Sequence, residues 1–92
     1  MNTIYITGNE YGGWASRIFV NNKEWYMCGY VENSTKENTI LIGVKESVEW
    51  MGEDEYTVYT EKYKDLVTMA NNEWKLNECK KHAGKYQTRS LV

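Results

Sequence analysis

Two cysteines and one histidine are the side chains with the greatest capacity for metal binding or nucleophilic chemistry. Cys79 and His82 are three residues apart, so a helix would place them on one side, and Cys28 could add a third ligand. Structural zinc sites use four ligands, usually in paired short spacings, and only half of that pattern is present. A Cys–His nucleophilic pair would need an orienting group and an oxyanion hole, and the sequence identifies neither. We therefore expect no metal, no cofactor and no catalytic residues, with Cys28 as a small core hydrophobe.

A glycine-rich loop and a run of carboxylates are the next candidates for chemistry. The three glycines between residues 8 and 13 could cradle a phosphate only if a Lys-Ser/Thr pair and a helix followed. A strand is predicted to follow instead, which favours a flexible turn. Glu53, Asp54 and Glu55 lack the ligand spacing of a calcium loop. They are typical of a solvated acidic corner, which could also meet a basic partner.

The overall composition limits the classes of function. The 92 residues are sufficient for one domain with one modest core. The net charge of −2 argues against a general polyanion-binding protein, which would be basic, and against a DNA mimic, which would be far more acidic. The N-terminal residues do not have the pattern of a signal peptide, and no apolar run approaches the roughly 20 residues of a membrane span. We expect a cytoplasmic protein with both thiols free.

Charge is unevenly distributed along the chain. Residues 46–61 include six acidic side chains and no basic one, whereas residues 75–92 include five Lys or Arg and one Glu. Opposite poles of this kind can steer a charged partner or promote head-to-tail self-association. They can also be ordinary surface charge that complements the helix ends.

The elements that must position these side chains begin with three predicted β-strands, at residues 14–20, 24–32 and 38–46. We predict that they form an antiparallel meander with loops at residues 21–23 and 33–37. With these loop lengths, one face of the sheet becomes the core face, because side chains alternate with a period of two. That face collects Ile18, Val20, Tyr26, Cys28, Tyr30, Ile40, Ile42 and Val44.

The connection between the first two strands has an alternative. A two-residue Asn21-Asn22 turn is chemically favourable, because asparagine tolerates positive φ, and it would pair Ile18 with Trp25. The three-residue loop is preferred because it keeps the β-branched residues on one face.

The opposite face of the predicted meander is apolar as well. It carries Phe19, Trp25, Met27, Val31 and Leu41, with Arg17 and Thr39 at its edges. Either the protein's own chain covers this face, or it is an exposed patch used for dimerisation or for a partner. The predicted partner-binding residues are Arg17, Phe19, Trp25, Met27 and Leu41, flanked by Glu53, Asp54 and Glu55.

The remaining segments are predicted to cover or extend the meander. Short strands are expected at residues 3–7 and 56–60, and one helical turn at residues 47–52. A helix with Thr60 as its N-cap is expected to run to about residue 82. Its apolar stripe is Tyr63, Leu66, Val67, Ala70 and Trp74.

The tail is expected either to pair as an edge strand through residues 86–89 or to fray. The predicted fold class is α+β: an antiparallel β-meander of four to five strands with one C-terminal α-helix packed on one face. Residues 1–92 form a single domain in this prediction.

The composition also suggests a class of function. A short chain rich in Asn, Lys, Glu and Tyr is similar in composition to accessory proteins of phages and mobile elements of low-GC bacteria. Many of those proteins bind and block one host protein, and the similarity carries no residue across. It favours a small non-enzymatic, anti-defence protein that inhibits or modulates a host protein or nucleoprotein complex in the host cytoplasm. Membrane binding and direct nucleic-acid binding are not expected.

A second hypothesis belongs to a different class. An oligomeric protein, a homodimer for example, could sequester a small nucleotide-like ligand between aromatic side chains at a subunit interface. Lys or Arg would then meet the phosphate. The feature that discriminates the two hypotheses is whether basic side chains converge on the aromatic ones.

Overall fold

The structure is a computed structural model that describes residues 2–60, 62–80 and 86–90, with side chains for residues 2–60 and 62–73. The elements in chain order are β1 (Thr3–Gly8), β2 (Gly13–Val20), β3 (Lys23–Tyr30), α1 (Lys36–Met51), β4 (Thr57–Tyr59), α2 (Lys64–Lys80) and β5 (Tyr86–Ser90). The α+β class is confirmed, as are the short strands predicted at residues 3–7 and 56–60 and the long C-terminal helix. That helix begins at Lys64, so Thr60 is not its N-cap. Of the two alternatives for the tail, the structure has the edge strand, β5. Neither α1 nor α2 is long and apolar enough, over the described residues, to cross a membrane.

The five strands found among the described residues form one sheet in the order β4-β1-β2-β3-β5. The β1–β2, β2–β3 and β3–β5 pairs are antiparallel, whereas β4 runs parallel to β1. The prediction of a purely antiparallel sheet is therefore wrong at one edge. The reason is that α1 connects β3 to β4 as a helical crossover, and a crossover of this length can return the chain in the parallel direction.

The β2–β3 hairpin has the two-residue turn. Asn21 and Asn22 both adopt positive φ, at 54° and 62°, which suits a tight turn between twisted strands. Ile18 therefore pairs with Trp25, and the preferred three-residue loop is wrong. Because side chains alternate, this one-residue change moves every residue of β3 to the other face relative to β2.

The third predicted strand, at residues 38–46, is wrong, because it lies within α1. The side chain of Thr35 accepts a hydrogen bond from the Asn38 backbone N–H at 3.1 Å and caps the start of the helix. Gly52 ends it in the left-handed conformation, with φ of 73°. The separate helical turn predicted at residues 47–52 is instead the last part of α1.

Each face of the sheet is covered by one helix. The α1 face holds the larger cluster of buried residues, namely Ile4, Ile6, Trp14, Ile18, Val20, Met27 and Met51. The α2 face holds a smaller cluster of Ala15, Cys28, Leu66 and Ala70. The prediction of one helix on one face is therefore wrong. The second helix also explains why both faces of the sheet have apolar residues.

Candidate functional site

The five residues predicted as one partner-binding surface lie in three different places. Arg17 and Phe19 lie on the α2 face, and Trp25 and Met27 lie on the α1 face. Met27 is fully buried, and the Trp25 ring packs edge-on against Trp50. Leu41 is exposed on α1. The predicted common face is wrong because it depended on the longer hairpin loop and on a strand at residues 38–46.

The acidic corner is exposed, as expected for a solvated run of carboxylates. Glu53, Asp54 and Glu55 lie in the loop between α1 and β4. This loop is fixed to the N-terminal strand, because the Asn2 side chain donates to the Glu55 carbonyl at 3.0 Å and Thr57 N–H donates to the Asn2 carbonyl at 3.0 Å. That these residues contact a partner remains a prediction.

A row of side chains crosses four strands on the α2 face. Tyr59 on β4 pairs with Tyr5 on β1, Tyr5 pairs with Arg17 on β2, and Arg17 pairs with Tyr26 on β3. Residues that are paired across neighbouring strands point to the same face. The row lies beside the first turn of α2, where the helix does not cover the whole sheet.

At this end of the face, the Tyr5 ring contacts three other aromatic rings. We call Tyr5, Phe19, Tyr59 and Tyr63 the tyrosine surface. The Tyr5 ring stacks on Tyr59 with centroids 5.3 Å apart, and it meets Tyr63 and Phe19 edge-on at 5.3 and 5.8 Å. Tyr59 and Tyr63 are 44% and 39% exposed, so the surface is open to solvent.

Arg17 is held beside the tyrosine surface by two carboxylates and a phenol. Its Nε lies 3.1 Å from Glu24 Oε2, and its Nη2 forms an ion pair with Asp65. It also donates to the Tyr26 hydroxyl, which in turn donates to Asp65 Oδ2 at 2.5 Å. The guanidinium carbon lies 5.7 Å from the centre of the Tyr63 ring. Arg17 therefore links α2 to the sheet and supports one ring of the tyrosine surface.

The ionisable groups of this cluster respond to one another. The hydrogen bond from Tyr26 lowers the pKa of Asp65, with the charge of Arg17 acting in the same direction against the opposing effect of burial. Burial, together with the hydrogen bond to Asp65, raises the pKa of Tyr26. Tyr26 therefore stays protonated at neutral pH and acts as a hydrogen-bond donor in this cluster.

The nucleotide hypothesis requires a basic side chain that lies beside aromatic rings and has positive charge available for a phosphate. The structure meets the first requirement but not the second. A basic side chain does converge on aromatic rings, because Arg17 lies over both Tyr26 and Tyr63. Its positive charge, however, is already matched by Glu24 and Asp65. A phosphate at this position would meet two carboxylates as well as the guanidinium, so the cluster favours a structural role for Arg17.

The cysteines and the histidine are the other candidates for chemistry. Cys28 is buried, and its Sγ donates to Glu73 Oε2 at 3.4 Å. Cys79 and His82, the other ligands considered for a metal, have side chains outside the described residues. Among the residues that are described, no cluster of three His, Cys, Asp or Glu side chains could hold a metal ion.

The glycine-rich loop is a turn that leads into β2, as the sequence predicts. The Asn9 side-chain oxygen accepts hydrogen bonds from the N–H groups of Tyr11 and Gly13, both at 3.0 Å. Gly12 has a φ of 97°, which suits glycine. The cap formed by Asn9 uses backbone N–H groups of the loop that a phosphate cradle would need.

No family model matches the chain, and no curated protein or solved structure matches it at a significant level. Its function is therefore inferred from its own side chains.

Sequence reasoning missed most of the tyrosine surface. It placed Tyr63 in the buried stripe of the helix, whereas Tyr63 precedes α2 and is partly exposed. The signal that could have found this surface is the period-two alternation of Tyr5 and Tyr59 in two strands with apolar residues facing the other way. Bringing those strands together required the parallel β1–β4 pairing, which the meander prediction did not include.

Proposed function

We propose that the protein is a non-enzymatic binding protein that modulates a macromolecular partner, and that the tyrosine surface is its contact site. The observation that carries this proposal is the cluster of three aromatic side chains around Tyr5 at an open end of the sheet. Tyrosine is enriched at protein interfaces because it buries a large apolar ring and keeps a hydroxyl for hydrogen bonding. Contiguous exposed aromatic area of this kind is typical of interaction sites.

The surface is also well supported from beneath. Tyr5 contacts the other three aromatic rings, and Arg17 lies against Tyr63 while being fixed by Glu24 and Asp65. Side chains that are already ordered lose less conformational entropy when a partner binds. The arrangement therefore favours recognition by a preorganised patch.

The edge strand adds a second means of recognition. β4 has only three residues and pairs with β1 on one side, and its outer side forms one edge of the sheet. Tyr59 belongs to this strand, so a partner on the tyrosine surface would also be close to unpaired backbone groups. The compositional similarity to phage and mobile-element accessory proteins supports a host protein or nucleoprotein complex as that partner.

The test is affinity capture from a host lysate with matched variants. Tyr59→Ser together with Tyr63→Ser removes two exposed rings of the tyrosine surface, whereas Tyr11→Ser removes a more exposed tyrosine in the β1–β2 loop. We expect the wild type and Tyr11→Ser to retain the same partner and the double variant to lose it, with all three proteins melting at similar temperatures. Equal capture by the double variant and the wild type would contradict the proposal, as would the absence of any partner specific to the wild type.

A further inference from the structure

A cavity of about 180 Å³ lies at the end of β1, beside the first half of α2. Its walls come from the last residues of β1 and the loop that follows, from the start of α1, and from the first half of α2. Val67 and Ala70 give it an apolar side. The polar groups that line it are Asn9, Glu10, Lys36, Lys62 and Asn71.

The two lysines of this cavity stand where a helix dipole disfavours positive charge. Lys36 is the first residue of α1, and Lys62 lies two residues before the first residue of α2. Helix N-termini carry partial positive charge and favour acidic side chains. Both ion pairs found among the described residues belong to Arg17, so no described carboxylate lies within 4 Å of either lysine ammonium. Since Glu10 lines the cavity as well, the charged side chains around it carry a net charge of +1, with neither lysine held in an ion pair by a described residue.

An amide pair fixes one wall of the cavity and leaves a donor available. The Asn9 side-chain amide donates to Asn71 Oδ1 at 3.1 Å, while Asn9 Oδ1 is occupied by the loop N–H groups. The orientation of the Asn71 side chain is thereby set, with its oxygen used and its NH₂ group making no hydrogen bond to the described residues. An NH₂ group in this position can donate to a ligand oxygen.

We infer that this cavity binds a compact anionic group, a phosphate or a carboxylate, between Lys36 and Lys62. Two ammonium groups, an amide donor and a neighbouring helix N-terminus are the features that stabilise oxyanions. The volume is below the roughly 300 Å³ at which small-molecule pockets usually begin, so the site accommodates the anionic group and not an attached base or ring. This site is separate from the tyrosine surface, and the inference does not depend on the proposed function.

Removing the charge of Glu10 should change the anion affinity in the opposite direction to removing a lysine charge. Its carboxylate lines the same cavity and repels an anion there. Lys36→Gln and Lys62→Gln should each weaken anion binding about fivefold, the value expected for one unit charge at about 4 Å in water. Glu10→Gln should strengthen it by a similar factor. Lys64→Gln is the matched control, because Lys64 is exposed on α2 and does not line the cavity.

The experiment titrates the protein with a ligand and monitors its backbone amide chemical shifts by NMR. Inorganic phosphate, acetate and adenosine monophosphate are the separate probes, and sodium chloride holds the ionic strength constant. We expect saturable shifts at Gly8, Ala70 and Asn71, with the order of variants given above. Preference for phosphate over acetate would identify phosphate as the source of the anion, and the reverse would identify a carboxylate. Adenosine monophosphate should bind no more tightly than phosphate.

Three results would overturn the inference. The first is the absence of saturable shifts at the cavity with phosphate and with acetate. The second is equal affinity in the wild type and both lysine variants. The third is tighter binding of adenosine monophosphate than of phosphate, which would mean that the base, and not a compact anion, dominates recognition.

Discussion

Ser16 and Ser47 form a polar link in the middle of the α1 face, and both are fully buried. Their hydroxyl oxygens are 2.8 Å apart, and Ser47 Oγ also lies 2.8 Å from the Gly43 carbonyl, to which it donates. A serine hydroxyl has one proton, and Ser47 donates its proton to the Gly43 carbonyl. Ser16 must therefore be the donor in the Ser16–Ser47 bond. The two serines therefore have unequal roles.

This inequality predicts an asymmetric mutational effect. Ser47→Ala leaves the Ser16 hydroxyl buried without its acceptor, so it should lower the free energy of unfolding by about 1–3 kcal/mol. Ser16→Ala should cost less, because Ser47 keeps its bond to Gly43. Chemical denaturation of both single variants and the double variant measures the coupling. A larger loss in Ser16→Ala than in Ser47→Ala would contradict the assigned direction of the hydrogen bond.

Asp65 makes the free energy of unfolding depend on pH in the acidic range. The hydrogen bond from Tyr26 holds the folded-state pKa of Asp65 below its ordinary value of about 3.9. Its contribution to stability is therefore present above that value and is lost as the pH falls through the folded-state pKa. The effect is moderated by solvent, because the Asp65 side chain is 43% exposed.

We expect Asp65→Asn to be less stable than the wild type at neutral pH. The difference should narrow as the pH falls below about 4, where the wild-type carboxylate also loses its charge. Urea denaturation at a series of pH values measures it. Asp54→Asn, at an exposed loop position, is the control. A difference between Asp65→Asn and the wild type that grows toward low pH would show that the carboxylate is not stabilised in the folded state.

At the scale of elements, α1 shows why its sequence predicts a strand where the structure has a helix. Ile40, Ile42 and Val44 alternate as in a strand, and β-branched residues favour strands. Ile40 and Val44 are also four residues apart, as on one face of a helix, and both pack against the core beside Val48. Short apolar runs do not separate these two periods. The caps at Thr35 and Gly52 decide between them, since they bound a single helix.

The β2–β3 hairpin is the opposite case, because its sequence does indicate the turn that the structure has. Asn21-Asn22 is a strong signal for a two-residue turn, and the structure has that turn. The longer loop was preferred only to keep Ile18 and Val20 on one face with the β-branched residues of a third strand, and that strand is a helix. One wrong element therefore produced a wrong register in its neighbour.

The docking of α2 onto the sheet depends on a glycine. An added Cβ at Gly13 would lie 1.9 Å from the Ala70 carbonyl oxygen, and a backbone atom of a packed helix cannot move away locally. We therefore expect Gly13→Ala to lower the free energy of unfolding by about 1–3 kcal/mol or more, as over-packing does. Asn72→Ala, at an exposed position on α2, should be neutral or slightly stabilising. Wild-type stability in Gly13→Ala would contradict the close approach of α2.

At the scale of the whole molecule, the two apolar faces have a simple explanation. Residues on both faces are apolar because α1 and α2 cover opposite sides of one sheet. The sequence predicts two apolar faces, but the prediction of a strand at residues 38–46 leaves no second helix to cover one of them. Beside the start of α2 a cluster of contacting aromatic rings stays exposed, and this is the tyrosine surface.

The affinity of the captured partner for variants of the tyrosine surface tests the central claim most directly. Exposed tyrosines that dominate an interface typically contribute about 2 kcal/mol, which corresponds to roughly a 30-fold change in Kd. We predict at least that loss for the Tyr59→Ser and Tyr63→Ser double variant, with Tyr11→Ser unchanged. An unchanged Kd in the double variant, with its fold intact, would show that the tyrosine surface is not the binding site.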